Sequence, residues 1–228
     1  MISTARFTSR PLAAARFVAQ RGILRGVVWR TTRVSVHVAE RLNDLKAPFI
    51  VVANHSSHLD APLVMGALPR RHARYLAAGA AADYFFDVRW RTWLTALFFN
   101  AFPVERGASR QRAGAARSLL DAGVPILIFP EGGRSRDGVI GKFKAGAAAL
   151  SSAADVPVVP IALVDAHKAM PRGVNWPVKG RPSVSVVIGS PMRATAGETP
   201  EHFSQRLADT VRELRASVTP DPAERGNR

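Results

Sequence analysis

Two short runs in this 228-residue chain hold side chains whose types and spacing could do chemistry. The first is NHSSHLD, residues 54–60, in which His55 and Asp60 stand five positions apart. On a continuous helix that spacing leaves two side chains about 140° apart, so they meet only if the backbone turns between them. FIVVA (49–53) before them is short, apolar and β-branched, which predicts a buried strand ending near His55. Ser56-Ser57 then supply a turn. Asp60 is expected to N-cap a following helix, with Pro62 tolerated in its first turn. A carboxylate at a helix N-terminus is favoured as the anion. It can accept a hydrogen bond from one imidazole nitrogen and leave the other as a base. This is the lower half of a hydrolase triad without its serine. The chain has no G-x-S-x-G run and no cysteine, so no covalent nucleophile offers itself. Direct attack by a substrate hydroxyl on a thioester is the natural chemistry, and plain capping is the bland alternative.

The second run is FPEGGRS, residues 129–135, which also follows a predicted strand. Glycines there allow close backbone approach and positive φ, and Arg134 offers a fork for phosphate. The alternative is a glycine-rich turn with a solvated arginine. There is no Walker A run and no G-x-G-x-x-G, so a nucleotide-binding fold is not supported. His55-x-x-His58 could be a fragment of a metal site. A catalytic metal wants three protein ligands, and no third His, Cys or acid cluster lies nearby in the sequence, so no metal is expected.

The elements that must position these runs alternate. RYLAAG (74–79) and FPVER (102–106) read as further strands, and WLTALFFN (93–100) as a helix. Residues 109–122 carry a helical pattern with Gly123 as its C-cap. PILIF (125–129), VPVVPIALV (156–164) and VSVVI (184–188) read as buried strands, and 144–154 as a helix. Thr199-Pro200-Glu201 is a helix start, with Phe203, Leu207, Val211 and Leu214 on one face. The fold class expected is α/β, a largely parallel sheet flanked by helices, with an N-terminal basic amphipathic helical segment.

The two runs together resemble the glycerolipid acyltransferase superfamily, of the bacterial 1-acyl-glycerol-3-phosphate acyltransferase type. Asn54, His55 and Asp60 match its N-H-x4-D motif. Phe129, Pro130, Glu131, Gly132, Arg134 and Ser135 match F-P-E-G-T-R-S, and Gly133 departs from the usual Thr. FPVERG resembles the motif that ends in Arg106, with Glu105 in place of the more usual Asp. FKAG (143–146) and VPVVPIAL (156–163) resemble two further motifs in the right order. The resemblance implies that His55 is the general base and Asp60 its orienter. It also implies that Arg106, Glu131, Gly132, Gly133, Arg134 and Lys144 belong to the acceptor phosphate site. Acyl-CoA or acyl-carrier protein would be a co-substrate, a lysophospholipid the acceptor, and no cofactor would be needed. Gly133 bears on acceptor choice rather than on the chemistry, which leaves another lysophospholipid, a lyso-aminolipid or a glycolipid as alternative acceptors.

Length fits one α/β domain, divided as 1–36, 37–216 and a loose tail, 217–228. The absence of cysteine excludes a disulfide scaffold and thiolate metal sites. A net charge of +15 implies an anionic partner, whether lipid, phosphorylated substrate or nucleic acid, although compositional bias explains part of the excess. No nucleic-acid motif is present, so no nucleic-acid partner is expected. A non-catalytic lipid-binding protein would not need the intact His55, Asp60 and Arg134. No run reaches the roughly 18–20 apolar residues of a spanning helix; LAAGAAA (76–82) and WLTALFFNAF (93–102) are shorter. No secretory signal is recognisable. In residues 1–36, Arg6, Arg10, Arg16, Arg21, Arg25, Arg30 and Arg33 interleave with apolar residues, and the first acid is Glu40. That reads as one interface-lying helix, or two broken near Gly22 and Gly26, with Phe7, Phe17, Ile23 and Trp29 in the acyl boundary and arginines at anionic headgroups. The alternative is a helix packed on the domain with its arginines in water. Trp29, Trp90 and Trp93, beside arginines, are interfacial anchors or core residues. The expected location is peripheral or monotopic, on the cytoplasmic face of a bacterial membrane.

Overall fold

The computed structural model describes residues 4–81, 97–104 and 109–218. Trp90, Trp93, Arg106 and the tail from 219 onward lie outside the described residues, as does the whole run from Asp83 to Ala96.

The sequence alternation becomes a seven-stranded sheet. In chain order the strands are β1 (Arg33–Val38), β2 (Ile50–Ala53), β3 (Ala77–Ala81), β4 (Phe102–Val104), β5 (Ile126–Ile128), β6 (Val158–Val164) and β7 (Ser183–Ile188). Their order in space is β1-β7-β6-β2-β5-β3-β4. Every neighbouring pair is parallel except β6 with β7. β2 lies at the centre, all four of its residues buried, as a strand covered on both faces requires. Its side chains alternate between two cores. Val51 and Ala53 join Leu127, Val159 and Ile161 on one face, under Leu63, Val64 and Met65 of α4 (Asp60–Ala67). Ile50 and Val52 join Ile126 and Val158 on the other. That second face is covered by α6 (Ser109–Asp121), α7 (Gly146–Ala154) and α9 (Pro200–Ala216). Phe203, Leu207 and Val211 of α9 are buried there, and each such side chain contributes about 1.5–3 kcal/mol. Gly123 ends α6 at φ 77°, and the Thr199 hydroxyl caps α9. Short helices α5 (Arg70–Ala73) and α8 (Ala166–Ala169) lie in connections.

The N-terminal segment is helical; Ile23 faces outward as expected of an interface helix, whereas Phe7, Trp29 and several arginines pack against the domain. A short α1 (Ala5–Thr8) ends at Ser9. From there α2 (Arg10–Val18), a π-helical turn (Ala19–Leu24) and α3 (Arg25–Thr31) run on without a break at Gly22 or Gly26. Phe7 is fully buried in the second core, and Trp29 packs against the first. Four of the arginines, Arg6, Arg16, Arg21 and Arg25, point inward, to carbonyls that need donors, while Arg10, Arg30 and Arg33 stay exposed. Arg6 donates to Ala101 O, and Arg16 to Arg6 O and Phe7 O. Arg21 donates to Gly66 O at 2.8 Å and to Leu68 O, while Arg25 donates to Gly66 O at 3.2 Å. Arg21 and Arg25 thus satisfy the C-terminal carbonyls of α4, where the helix dipole also favours a cation. Burial lowers the pKa of Arg6, Arg16 and Arg21. Apolar residues face outward as well: Leu12, Val18, Ile23 and Val27 are 48%, 63%, 57% and 39% exposed. Gly66 permits the close crossing of α3 on α4, because a Cβ there would sit 2.6 Å from the Trp29 ring.

β1 was not expected from the sequence. It is an edge strand pairing with β7, and its six residues are mostly exposed. A boundary at residue 36 therefore cuts a strand, and the helical segment ends at Thr31. Among the described residues no helix is long and apolar enough to cross a membrane.

Candidate functional site

The central strands β2, β5 and β6 end side by side, and the loops after β2 and β5 carry the two runs singled out above. His55 follows β2. Its Nδ1 lies 2.8 Å from Asp60 Oδ2, and since a carboxylate only accepts, Nδ1 carries the proton. Asp60 is fully buried, whereas the His55 side chain is 23% exposed. Nε2 is therefore the nitrogen free for chemistry.

Asp60 is held differently from the expectation. It is the first residue of α4 rather than its N-cap, which is Leu59. Its Oδ2 accepts from Ser56 N at 2.6 Å and Ser57 N at 2.8 Å, both upstream of the helix. The carboxylate closes the turn back on itself, and three donors on one oxygen fix where the imidazole must lie.

The surrounding loops pin His55 from several sides. Its peptide N–H donates to Glu131 Oε1 at 2.7 Å, and its carbonyl accepts from Ser135 N at 2.7 Å. Glu131 Oε2 accepts from Gly141 N at 3.0 Å. Both Glu131 oxygens thus face backbone N–H groups, so this carboxylate braces the His55 turn against the 129–141 loop. Its negative charge suits bracing better than holding a phosphate. The Phe129 ring stacks on the imidazole, centroids 4.2 Å apart and planes at 19°. Asn54 donates to Leu163 O at 2.9 Å and accepts from Leu163 N at 2.8 Å, extending the β2–β6 pairing by one side chain. The buried Ser57 hydroxyl donates to Met170 O at 2.8 Å. These long-range contacts of Asn54, Ser57 and Phe129 go beyond the turn and motif positions read for them from the sequence. Each acts through a partner distant in the chain, which no local spacing encodes.

Cationic groups stand close by. Arg134 Nη1 is buried without a hydrogen-bond partner. Its guanidinium is near enough to His58 to lower that imidazole's pKa, after burial, the largest cause; His55 adds to the lowering and Asp60 opposes it. The Lys144 side chain runs over Gly132, whose φ is 75° and whose Cβ, if present, would lie 2.4 Å from Lys144 Nζ. The positive φ favours glycine there, and any side chain would push the tip of Lys144 aside. Gly133 faces open space. Arg134, Lys144, Gly132 and Gly133 therefore share one loop system with His55; Arg106 is outside the described residues. Among the described residues no three metal-ligating side chains converge. The arrangement offers a base with an oriented imidazole and, beside it, a guanidinium nitrogen without a partner.

Residues 33–164 match the family described as acyltransferase. A Pseudomonas aeruginosa protein named 1-acyl-sn-glycerol-3-phosphate acyltransferase is 38% identical over 120 residues, 50% of this chain and 44% of that protein. A mouse 1-acyl-sn-glycerol-3-phosphate acyltransferase alpha is 33% identical over 173 residues, 72% of this chain and 56% of its own. A Chlamydomonas reinhardtii protein of the same activity name is 29% identical over 191 residues, 82% and 53% of the two chains. This chain thus spans about half the length of the curated relatives it matches. The crystal structure of the 1-acyl-sn-glycerophosphate (LPA) acyltransferase PlsC from Thermotoga maritima superposes with a TM-score of 0.70 at 23% identity, covering 94% of this chain and 86% of that one. That likeness establishes a shared fold.

Proposed function

Since the chain belongs to the acyltransferase family, we propose that it transfers a fatty acyl group from a thioester donor, acyl-CoA or acyl-carrier protein, to the free hydroxyl of 1-acyl-glycerol-3-phosphate, giving phosphatidic acid. The observation that carries this reading is the His55–Asp60 hydrogen bond of 2.8 Å, which leaves Nε2 free at the strand end. His55 Nε2 takes the acceptor's hydroxyl proton as its oxygen attacks the thioester carbonyl. Asp60 stabilises the imidazolium that forms. The tetrahedral intermediate then collapses, the C–S bond breaks, and the leaving thiolate takes the proton back from His55. Ester and thiol are the products, and the enzyme is unchanged.

Arg134, with its unpartnered Nη1, and Lys144 bind the acceptor phosphate, beside the turn at Gly132 and Gly133. Arg106 belongs to the same site by its place in the sequence. The open space at Gly133 supports a second reading, an acceptor with a larger head group such as another lysophospholipid, a lyso-aminolipid or a glycolipid.

Both lipids reside in membranes, and the apolar outer face of residues 10–31 is the surface that meets one. Leu12, Val18, Ile23 and Val27 enter the interface while Arg10 and Arg30, both exposed, meet anionic headgroups. The protein would lie peripherally on the cytoplasmic face of a bacterial membrane. Product analysis by mass spectrometry, with labelled acyl-CoA and a panel of acceptors with and without phosphate, tests the proposal. Equal turnover of both acceptor types would remove the phosphate site from it.

A further inference from the structure

The loop from Pro171 to Pro182, between α8 and β7, takes no part in the chemistry above. It exposes three large apolar side chains: Trp176 at 60%, Val174 and Val178 at 41%. It also carries Arg172, Lys179 and Arg181 and no acid. Its place in the sheet gives that composition meaning. β7 runs antiparallel to β6, with Ser185 opposite Val164, so β7 begins where β2 and β6 end, the end that bears His55. β1 begins there too, with Arg33 opposite Ser183, so the last turn of α3 reaches the same end. Arg181 Nη2 joins the two features by donating to Trp29 O at 3.2 Å. The base of the loop is tied down by Val178 N to Ala169 O at 2.9 Å and by Ser57 to Met170 O at 2.8 Å.

We propose that residues 171–182 form a second bilayer contact, with Trp176, Val174 and Val178 in the headgroup layer and Arg172, Lys179 and Arg181 on anionic lipid phosphates. The proposal rests on the reading that the acceptor is a membrane lipid. Tryptophan beside cations suits that layer, where an amphipathic ring and phosphates meet. The single sign of charge favours an anionic surface over a protein partner, whose interface core is depleted in charge. The contact also does what the N-terminal helix cannot do alone. One helix on a surface leaves the body free to rotate about the helix axis, and a second contact fixes the rotation that turns His55 toward the lipid.

The full chain has no cysteine, so Trp176→Cys carries one environment-sensitive fluorophore without background. Its emission is expected to shift to the blue and rise several-fold with phosphatidylcholine vesicles containing phosphatidylglycerol. A label at Asp121→Cys, an exposed site at the opposite end of the sheet, is expected to stay constant. Silence at 176 while an Ile23→Cys label responds overturns the loop contact and leaves the helix contact and the acyl-transfer reading standing. Silence at both, with no acyl transfer to any lipid acceptor, overturns the underlying reading as well. A blue shift without vesicles, accompanied by self-association, assigns the loop to a protein interface instead. The double variant Arg172→Gln/Lys179→Gln is expected to weaken partitioning into the anionic vesicles roughly 30-fold, at about 1 kcal/mol per basic residue. It should leave transfer to a detergent-dispersed acceptor unchanged; unaltered partitioning overturns the proposal.

Discussion

Asp60→Asn isolates what the carboxylate does for the base. The amide is isosteric, and its oxygen can still accept from His55 Nδ1, Ser56 N and Ser57 N, so the geometry of the turn is kept. What goes is the negative charge facing the imidazolium that forms as the acceptor hydroxyl is deprotonated. Two unit charges whose centres lie about 4 Å apart attract by about 4 kcal/mol at the effective dielectric of a partly exposed site. At about 1.4 kcal/mol per decade, kcat should fall about a thousandfold. KM for the acceptor should move little, because Asp60 touches no part of it. Folding is weakened too, since the new amide NH2 would occupy the place of Asp60 Oδ1, which is buried without a partner. That costs about 1–3 kcal/mol, and at about 2–4 °C per kcal/mol for a chain of this size Tm drops by about 2–12 °C. Thiol release is measured with a disulfide reagent, to which a cysteine-free enzyme contributes nothing. A folded Asp60→Asn enzyme within tenfold of wild-type kcat, alongside an inactive His55→Ala enzyme, would refute the electrostatic role and leave Asp60 as a prop for the turn.

Other expectations follow from single contacts. Arg134→Ala should raise KM for a phosphorylated acceptor more than it lowers kcat, since a phosphate contact is shared by ground and transition states; an unchanged KM removes it from the site. Gly66→Ala should destabilise the fold by about 1–3 kcal/mol through the Trp29 ring, read as a lower denaturation midpoint, and a neutral result would mean that α3 can shift off α4. Changing Leu12, Val18, Ile23 and Val27 together to Ser should cut vesicle binding and leave Tm near wild type, since none is buried; binding at the wild-type level would move the anchor elsewhere. Arg206 donates to both oxygens of Glu198 and holds its pKa at about 2, below the ordinary 4.5. The folded value is the lower one, so this ion pair stabilises above pH 4.5 and loses its effect as pH falls toward 2. The stability gap between wild type and Glu198→Gln should therefore be constant from neutral pH to about pH 5 and close below it; a gap that persists at pH 2 would contradict the assignment.

Buried strands and their helices were legible because apolar runs such as IVVA and VVPIALV are long enough to mark a sheet covered on both faces. β1 was not, since RVSVHV at an edge pairs on one side only and leaves most of its side chains in water. The inward pairing of Arg6, Arg16, Arg21 and Arg25 was not legible for a related reason. Arginine ordinarily faces solvent, and nothing local says that Gly66, Leu68, Ala101 and Phe7 have carbonyls waiting for donors. His55 and Asp60 could be paired from spacing because a turn was visible between them. The Glu131 brace could not, as it spans 76 residues of sequence.

The grip of the 129–141 loop on the His55 peptide has a consequence for engineering. With the His55 N–H held by Glu131 and its C=O by Ser135, the base and the loop proposed to bind the acceptor form one mechanical part. Swapping the whole loop to change acceptor preference would drag the base with it. Position 133 is the place to intervene, because a side chain added there enters open space and pulls on neither tether.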